Sequence, residues 1–203
     1  MDNGSPSENS SYLLQEWLEE MYFDGERSED LSREDILRVG FYDFGFIDHS
    51  KYTGQITYVN VNNSQGFWHF TADNCSFGDG DSSDTSIDAV ADTDTSLMLL
   101  DDDIVDDYYS QVSGANFDNS QSGYTFPCSA SLPDFSFIIS GNTLTAPGDY
   151  PNFGSIDDST CFGGLQSNAG IGFSIVGDVF LKSCFVVFDL SHTSPRLGWA
   201  QRA

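Results

Sequence analysis

Residues 89 to 100 read AVADTDTSLMLL, an Asp-Thr-x-Thr-Ser turn set between two apolar stretches. Short apolar runs bounded by turn signals read as buried strands. The turn therefore carries the Asp92 carboxylate out of one buried strand and returns the chain into another, with Thr93 and Thr95 supplying hydroxyl groups beside it. An isolated Asp-Thr-x-Thr is an ordinary β-turn. Between two apolar strands it is also a way to build an acid into a site, and it commits this part of the chain to a sheet.

The surrounding sequence agrees with a sheet structure. From Phe41 the apolar period becomes two. FYDFGFIDHSKYTGQITYVNV predicts a strand around Phe44 and Phe46, a turn over Ser50 to Gly54, and a second strand through Ile56, Tyr58 and Val59 to Val61. Gln65 to Phe70 predicts an aromatic strand, and Asn74 to Ser86 a polar stretch with turns at Gly78 and Gly80. Leu132 to Ser140, Cys184 to Asp189 and Leu197 to Ala200 predict further strands. Two helices interrupt them. Asp101 to Val112 places Ile104, Val105, Tyr108 and Val112 on one face, and its leading Asp101, Asp102 and Asp103 suit the positive end of the helix dipole. A short helical turn is expected after Gly177. The fold class is all-β with a few short helices.

Residues 1 to 40 read differently. MDNGSPSENS is polar, with neither the basic start nor the apolar run of a secretory signal. Leu14, Trp17, Leu18 and Met21 then predict an amphipathic helix over Ser11 to Phe23. Ser32 with Asp35 resembles a capping box opening a second short helix that Gly40 closes. Two readings stand for this acidic segment: a docking piece that covers an apolar face, or a leader that replaces the natural N-terminus.

The chain holds 32 acids against 7 bases, a formal charge of -25. That balance opposes nucleic acid or an anionic membrane as partner, and no run reaches the ~18 apolar residues of a membrane span. At about pH 4 roughly half the carboxylates are protonated and the charge collapses, so an acidic medium suits the chain. The 17 phenylalanines supply the apolar material that disordered acidic chains lack. Cys75, Cys128, Cys161 and Cys184 show neither CxxC spacing nor a histidine cluster, which leaves disulfides or buried thiols rather than zinc. GDGDSSD at 78 to 84 lacks the pattern of a calcium loop and reads as solvated. His49, His69 and His192 lie far apart in sequence and support no Ser-His-Asp arrangement. No metal and no cofactor is expected.

Several separated stretches carry a family resemblance: FGFID at 44 to 48, YTGQITY at 52 to 58, QGFW at 65 to 68, ADTDTS at 91 to 96, YYSQVSGA at 108 to 115, LPDFSF at 132 to 137, CFGGLQSNAGIGFSIVGD at 161 to 178 and FVVFD at 185 to 189. In order and spacing, residues 41 to 203 resemble the C-terminal lobe of pepsin-like aspartic peptidases, most closely the fungal acid proteases. The resemblance implies a single lobe of the bilobal pepsin-like fold and hydrolysis of peptide bonds between bulky apolar residues. It implies secretion, or delivery to a vacuole, and Cys128 with Cys161 as the lobe's disulfide. Cys75 and Cys184 fall outside the family pattern and are either buried thiols or a second bridge. In that family two Asp side chains about 3 Å apart share one proton, because both cannot ionise together. By resemblance Asp92 is the C-lobe member, Thr93 braces the two lobes, Thr95 sits beside the acid or lines the substrate cleft, and Ile175, Val176 and Gly177 form the neighbouring strand.

Two departures follow. One such turn is present where the family uses two, so the partners implied are a peptide or protein substrate and either a missing N-terminal lobe or a second copy. Asp94 stands where the family has glycine. A side chain there is expected to clash or force the turn open, and a second carboxylate at about 5 Å adds ~3 kcal/mol of repulsion at an effective dielectric near 20. The alternative function is a catalytically inactive pepsin-like domain that binds peptides or proteins.

Overall fold

A computed structural model describes residues 42–78, 81–83 and 85–203. The helices expected over 11 to 23 and after Ser32 lie outside the described residues, as do Asp79, Gly80 and Asp84.

Sixteen strands among the described residues form four sheets. β1 (Tyr52–Asn60), β16 (Arg196–Arg202) and β15 (Cys184–Asp189) make one, with β16 central and antiparallel to both. The second orders β10 (Asn142–Ala146), β9 (Phe135–Ile139), β3 (Asn74–Phe77) and β4 (Asp81–Ser83). The third orders β11 (Asn152–Ser155), β12 (Thr160–Gly163), β8 (Gly123–Pro127) and β7 (Asn116–Asp118).

The fourth sheet carries the turn at Asp92. Its order is β13 (Leu165–Ser167), β6 (Met98–Leu100), β14 (Ser174–Val176), β5 (Ile87–Ala91), β2 (His69–Ala72). β14 lies between β5 and β6, parallel to the first and antiparallel to the second. The centre of this sheet is apolar: Ala89, Val90, Ala91, Met98, Leu100 and Val176 are all buried.

Two helices complete the described chain. α1 (Asp102–Ser110) buries Ile104, Val105, Tyr108 and Tyr109, with Asp102 and Asp103 in its first turn where the helix dipole is positive. The Tyr108 and Tyr109 hydroxyls donate to the carbonyls of Pro133 and Leu165 at 2.9 and 2.8 Å, which keeps both polar tips satisfied inside the core. α2 (Asp178–Leu181) follows Gly177 directly and sends Phe180 against Phe137, ring centroids 4.8 Å apart. The short helix next to the turn is thereby anchored to the second sheet.

Four expectations need correction. The aromatic strand expected over Gln65 to Phe70 begins only at His69 and runs to Ala72, with Phe67 left exposed in the reversal before it. No strand forms over 42–51: Phe44 and Phe46 are 56% and 63% exposed. Their alternation is real, but among the described residues no strand pairs with them, and alternation without a partner makes no ladder. The turn placed over Ser50 to Gly54 ends at Lys51, and β1 begins at Tyr52. Gly54 has a positive φ of 74°, and it sits where the β1–β16 register shifts, so the strand bulges there instead of turning. The polar stretch from Asn74 contains strand β3, because Cys75 and Phe77 alone point inward.

Cys128 and Cys161 are disulfide-bonded across a sequence separation of 33. Cys75 and Cys184 are not joined and remain thiols; burial pushes the Cys184 thiol up to about 12, so it behaves as a small apolar group. Replacing Cys128 and Cys161 together by alanine is expected to lower the unfolding free energy by about 3 to 4 kcal/mol, from the loop closure lost in the unfolded chain. Urea unfolding checks this, and an unchanged midpoint would show that the bond holds nothing that packing does not.

Candidate active site

The turn after β5 is tied down at both ends. Ala91 N–H donates to the Trp68 carbonyl at 3.2 Å and Asp92 N–H to the Val176 carbonyl at 3.1 Å, continuing the ladder past the last strand residue. At the other end Met98 N–H donates to the Gly164 carbonyl at 2.8 Å. Between these anchors the chain reverses over residues 93 and 94.

The Asp92 carboxylate accepts one donor on each oxygen. The Asp94 backbone N–H reaches Oδ1 at 2.9 Å, and the Thr95 hydroxyl reaches Oδ2 at 2.7 Å. A carboxylate gripped from both oxygens is fixed in orientation, and half-buried Asp92 keeps lone pairs beyond those two bonds. Thr93 is half-buried at the corner of the turn, and the side chain of Asp94 is exposed.

Asp94 does not force the turn open. Among the described residues the non-glycine positions with positive φ are Ser122 and Ser140, so position 94 keeps a backbone that any L-residue adopts. The amide donor depends on that backbone and not on the absence of a side chain; the carboxylate simply points outward.

The turn is also bound to α2. Asp178 N–H donates to the Thr95 carbonyl and Val179 N–H to the Ser96 carbonyl, both at 2.9 Å. The first amides of a helix have no partner within it, and here carbonyls of the turn satisfy two of them. Gly177 makes this approach possible. A Cβ at that position would lie 2.2 Å from the carbonyl oxygens of both Thr95 and Leu97, closer than any real contact, so the glycine is required by space and not by its φ of -94°.

Asp178 is the site residue that reading the sequence overlooked. Burial first, then the negative charge of Asp92, with a smaller push from Asp94, raises its carboxyl above the ordinary value, while Lys182 pulls it down. Three carboxylates thus gather at one turn. The available signal was an acid immediately after the apolar-apolar-Gly strand, but only the threading of β14 brings that acid to Asp92.

The raised value has a consequence for stability. Below the ordinary carboxylate range Asp178 is protonated in both folded and unfolded chains and takes nothing from the fold. As pH rises through the raised folded value, the unfolded chain has already ionised while the folded one resists, and stability falls. Asp178→Asn is expected to flatten that fall. Urea midpoints at about pH 3 and about pH 7 would show it, and an equal drop in both proteins would mean that Asp178 ionises freely.

Among the described residues no group of His, Cys, Asp and Glu is arranged to hold a metal ion, and no helix is long and apolar enough to cross a membrane. His69, His49 and His192 remain separated: His69 opens β2, and the other two lie in exposed turns.

The pattern of the eukaryotic aspartyl protease family matches residues 26–202. Aspergillopepsin-1 from Aspergillus pseudoglaucus and from Aspergillus oryzae are each 62% identical over 164 residues, covering 81% of this chain and 41% of each relative. Penicillopepsin-1 from Penicillium janthinellum is 58% identical over 165 residues, covering 81% of this chain and 50% of the relative. The chain thus spans between two fifths and one half of the length of these relatives. With a family pattern running over most of its length and the Asp92 turn held as described, the chain belongs to the eukaryotic aspartyl protease family.

Proposed function

We propose that this chain is one lobe of an acid endopeptidase and contributes Asp92 as one of two catalytic carboxylates. The observation that carries the reading is the Asp92 carboxylate itself, braced by the Asp94 amide and the Thr95 hydroxyl on a turn anchored by two strands and a helix. In the proposed reaction one carboxylate takes a proton from a water that attacks the peptide carbon, and its protonated partner donates to the carbonyl oxygen. Asp92 fills one of these roles. The second acid comes from an N-terminal lobe or from a second copy of the chain.

Two observations support a missing partner. Relatives at 58 to 62% identity extend to twice the matched length or more. The described chain also leaves Tyr42, Phe44 and Phe46 more than half exposed at the start of the lobe, apolar surface of the kind that a second body covers. The disulfide supports secretion into an oxidising medium, and the acidic composition supports an acidic one.

A peptide- or protein-binding lobe without catalysis is the second reading, favoured for the chain by itself because it supplies one Asp turn and sets Asp94 and Asp178 beside it. A concentration series with a quenched peptide substrate separates the cases. Pairing of two copies gives a specific activity that rises with protein concentration, a missing lobe gives activity only when that lobe is added, and binding without hydrolysis in both formats rejects the catalytic reading.

A further inference from the structure

Two Asn-x-Ser triplets lie among the described residues, Asn62-Asn63-Ser64 and Asn74-Cys75-Ser76. This triplet is the acceptor pattern for asparagine-linked glycans, and the fold treats the two very differently. Asn62 stands two residues beyond the end of β1, where its N–H donates to the His69 carbonyl at 2.9 Å and holds the base of a short reversal. Within that reversal Gly66 N–H donates to the Asn63 carbonyl, and the side-chain Oδ1 of Asn62 accepts from Ser64 N–H at 3.1 Å. Asn62, Asn63 and Ser64 are all exposed. Asn74 instead opens β3, half-buried and paired with Ile138 of β9, with its Oδ1 buried and fully buried Cys75 next to it.

We propose that Asn62 is an asparagine-linked glycosylation site and that Asn74 is not. The disulfide between Cys128 and Cys161 places the folding chain in an oxidising compartment, the setting in which such glycans are attached. The donor is an oligosaccharide carried on a polyprenyl diphosphate. Nδ2 of Asn62 bonds to C1 of the terminal sugar as the bond from C1 to the diphosphate oxygen breaks. The lipid diphosphate leaves with the electron pair, and the amide nitrogen gives up one proton. A glycan at Asn62 projects from a solvated turn and disturbs no ladder, since Oδ1 keeps its bond to Ser64. At Asn74 the side-chain amide belongs to a half-buried ladder residue whose Oδ1 is buried, so the acceptor is withdrawn from solvent once β3 has paired with β9.

The test uses the full natural polypeptide containing this chain, secreted from eukaryotic cells, and reads each site separately, because Asn3-Gly4-Ser5 and Asn9-Ser10-Ser11 also fit the pattern. Enzymatic glycan release in heavy-oxygen water converts a glycosylated Asn to labelled Asp. The peptide holding Asn62 is expected to carry the label in most molecules and the peptide holding Asn74 in none. Asn62→Gln and Ser64→Ala each abolish the label at 62, and Ser64→Thr retains it. If Asn62→Gln is not secreted, the two Ser64 variants read the same site with the asparagine intact. An Asn62 peptide recovered mostly at its unmodified mass overturns the proposal, and label at Asn74 overturns the argument from burial.

Discussion

Measured alone as a monomer at about pH 4, the chain is expected to cleave a peptide substrate no faster than buffer does, and Asp92→Asn is expected to change nothing. Joined to a lobe that carries its own Asp turn, it gains activity, and Asp92→Asn then removes it by about 100- to 10,000-fold in kcat with KM nearly unchanged. The reason is proton accounting: one carboxylate must accept a proton while another donates, and a single acid does only one of these in a given step. Asp94→Gly in the isolated chain stays inactive, because the turn already donates its amide to Asp92 and only the second acid is lacking. Dilution-independent cleavage by the isolated chain, abolished by Asp92→Asn, would overturn the argument.

The second large effect falls on a residue with no side chain. Gly177→Ala is expected to destabilise the lobe by more than about 4 kcal/mol, in the range reserved for severe steric or buried-polar faults. The added methyl would sit 2.2 Å from two backbone carbonyl oxygens, and one of them, that of Thr95, cannot move without giving up its bond to the first amide of α2. Gly141→Ala is the control. Gly141 has a positive φ of 75° with nothing within 4 Å, so its variant loses only the ~1 to 2 kcal/mol of a strained backbone. Urea unfolding of the pair measures both, and equal midpoints would show that the turn yields to a methyl group.

Local pattern and site were not equally legible in the sequence. β15 has the bounds that CFVVFD suggests, and α1 lies within Asp101 to Val112, because an apolar run and a 3.6-residue stripe are local signals. Phe44 and Phe46 misled because alternation records fitness for a sheet without supplying a partner strand. β3 was hidden because its buried pair, Cys75 and Phe77, is too sparse to stand out among polar residues. At the site, the turn and its hydroxyls were readable from ADTDTS, and the neighbouring strand was read at Ile175 to Gly177 from family resemblance. Asp178 escaped because its company is set by topology. Asp94 was misjudged for the opposite reason: what mattered was a backbone amide, and backbone geometry is not spelled by the side chain that departs from a pattern.

The position of β14 fixes an order of events. As the chain is made, β5, the turn and β6 emerge together, yet the strand that belongs between them is encoded far downstream. Until Ser174–Val176 arrives, Asp92 has no carbonyl at Val176 to hold its amide, and Thr95 and Ser96 have no helix amides to receive. Pairings between such distant segments close late and slowly. A nascent lobe halted before residue 174 would carry Asp92 on a turn that lacks both its strand partner and its helix.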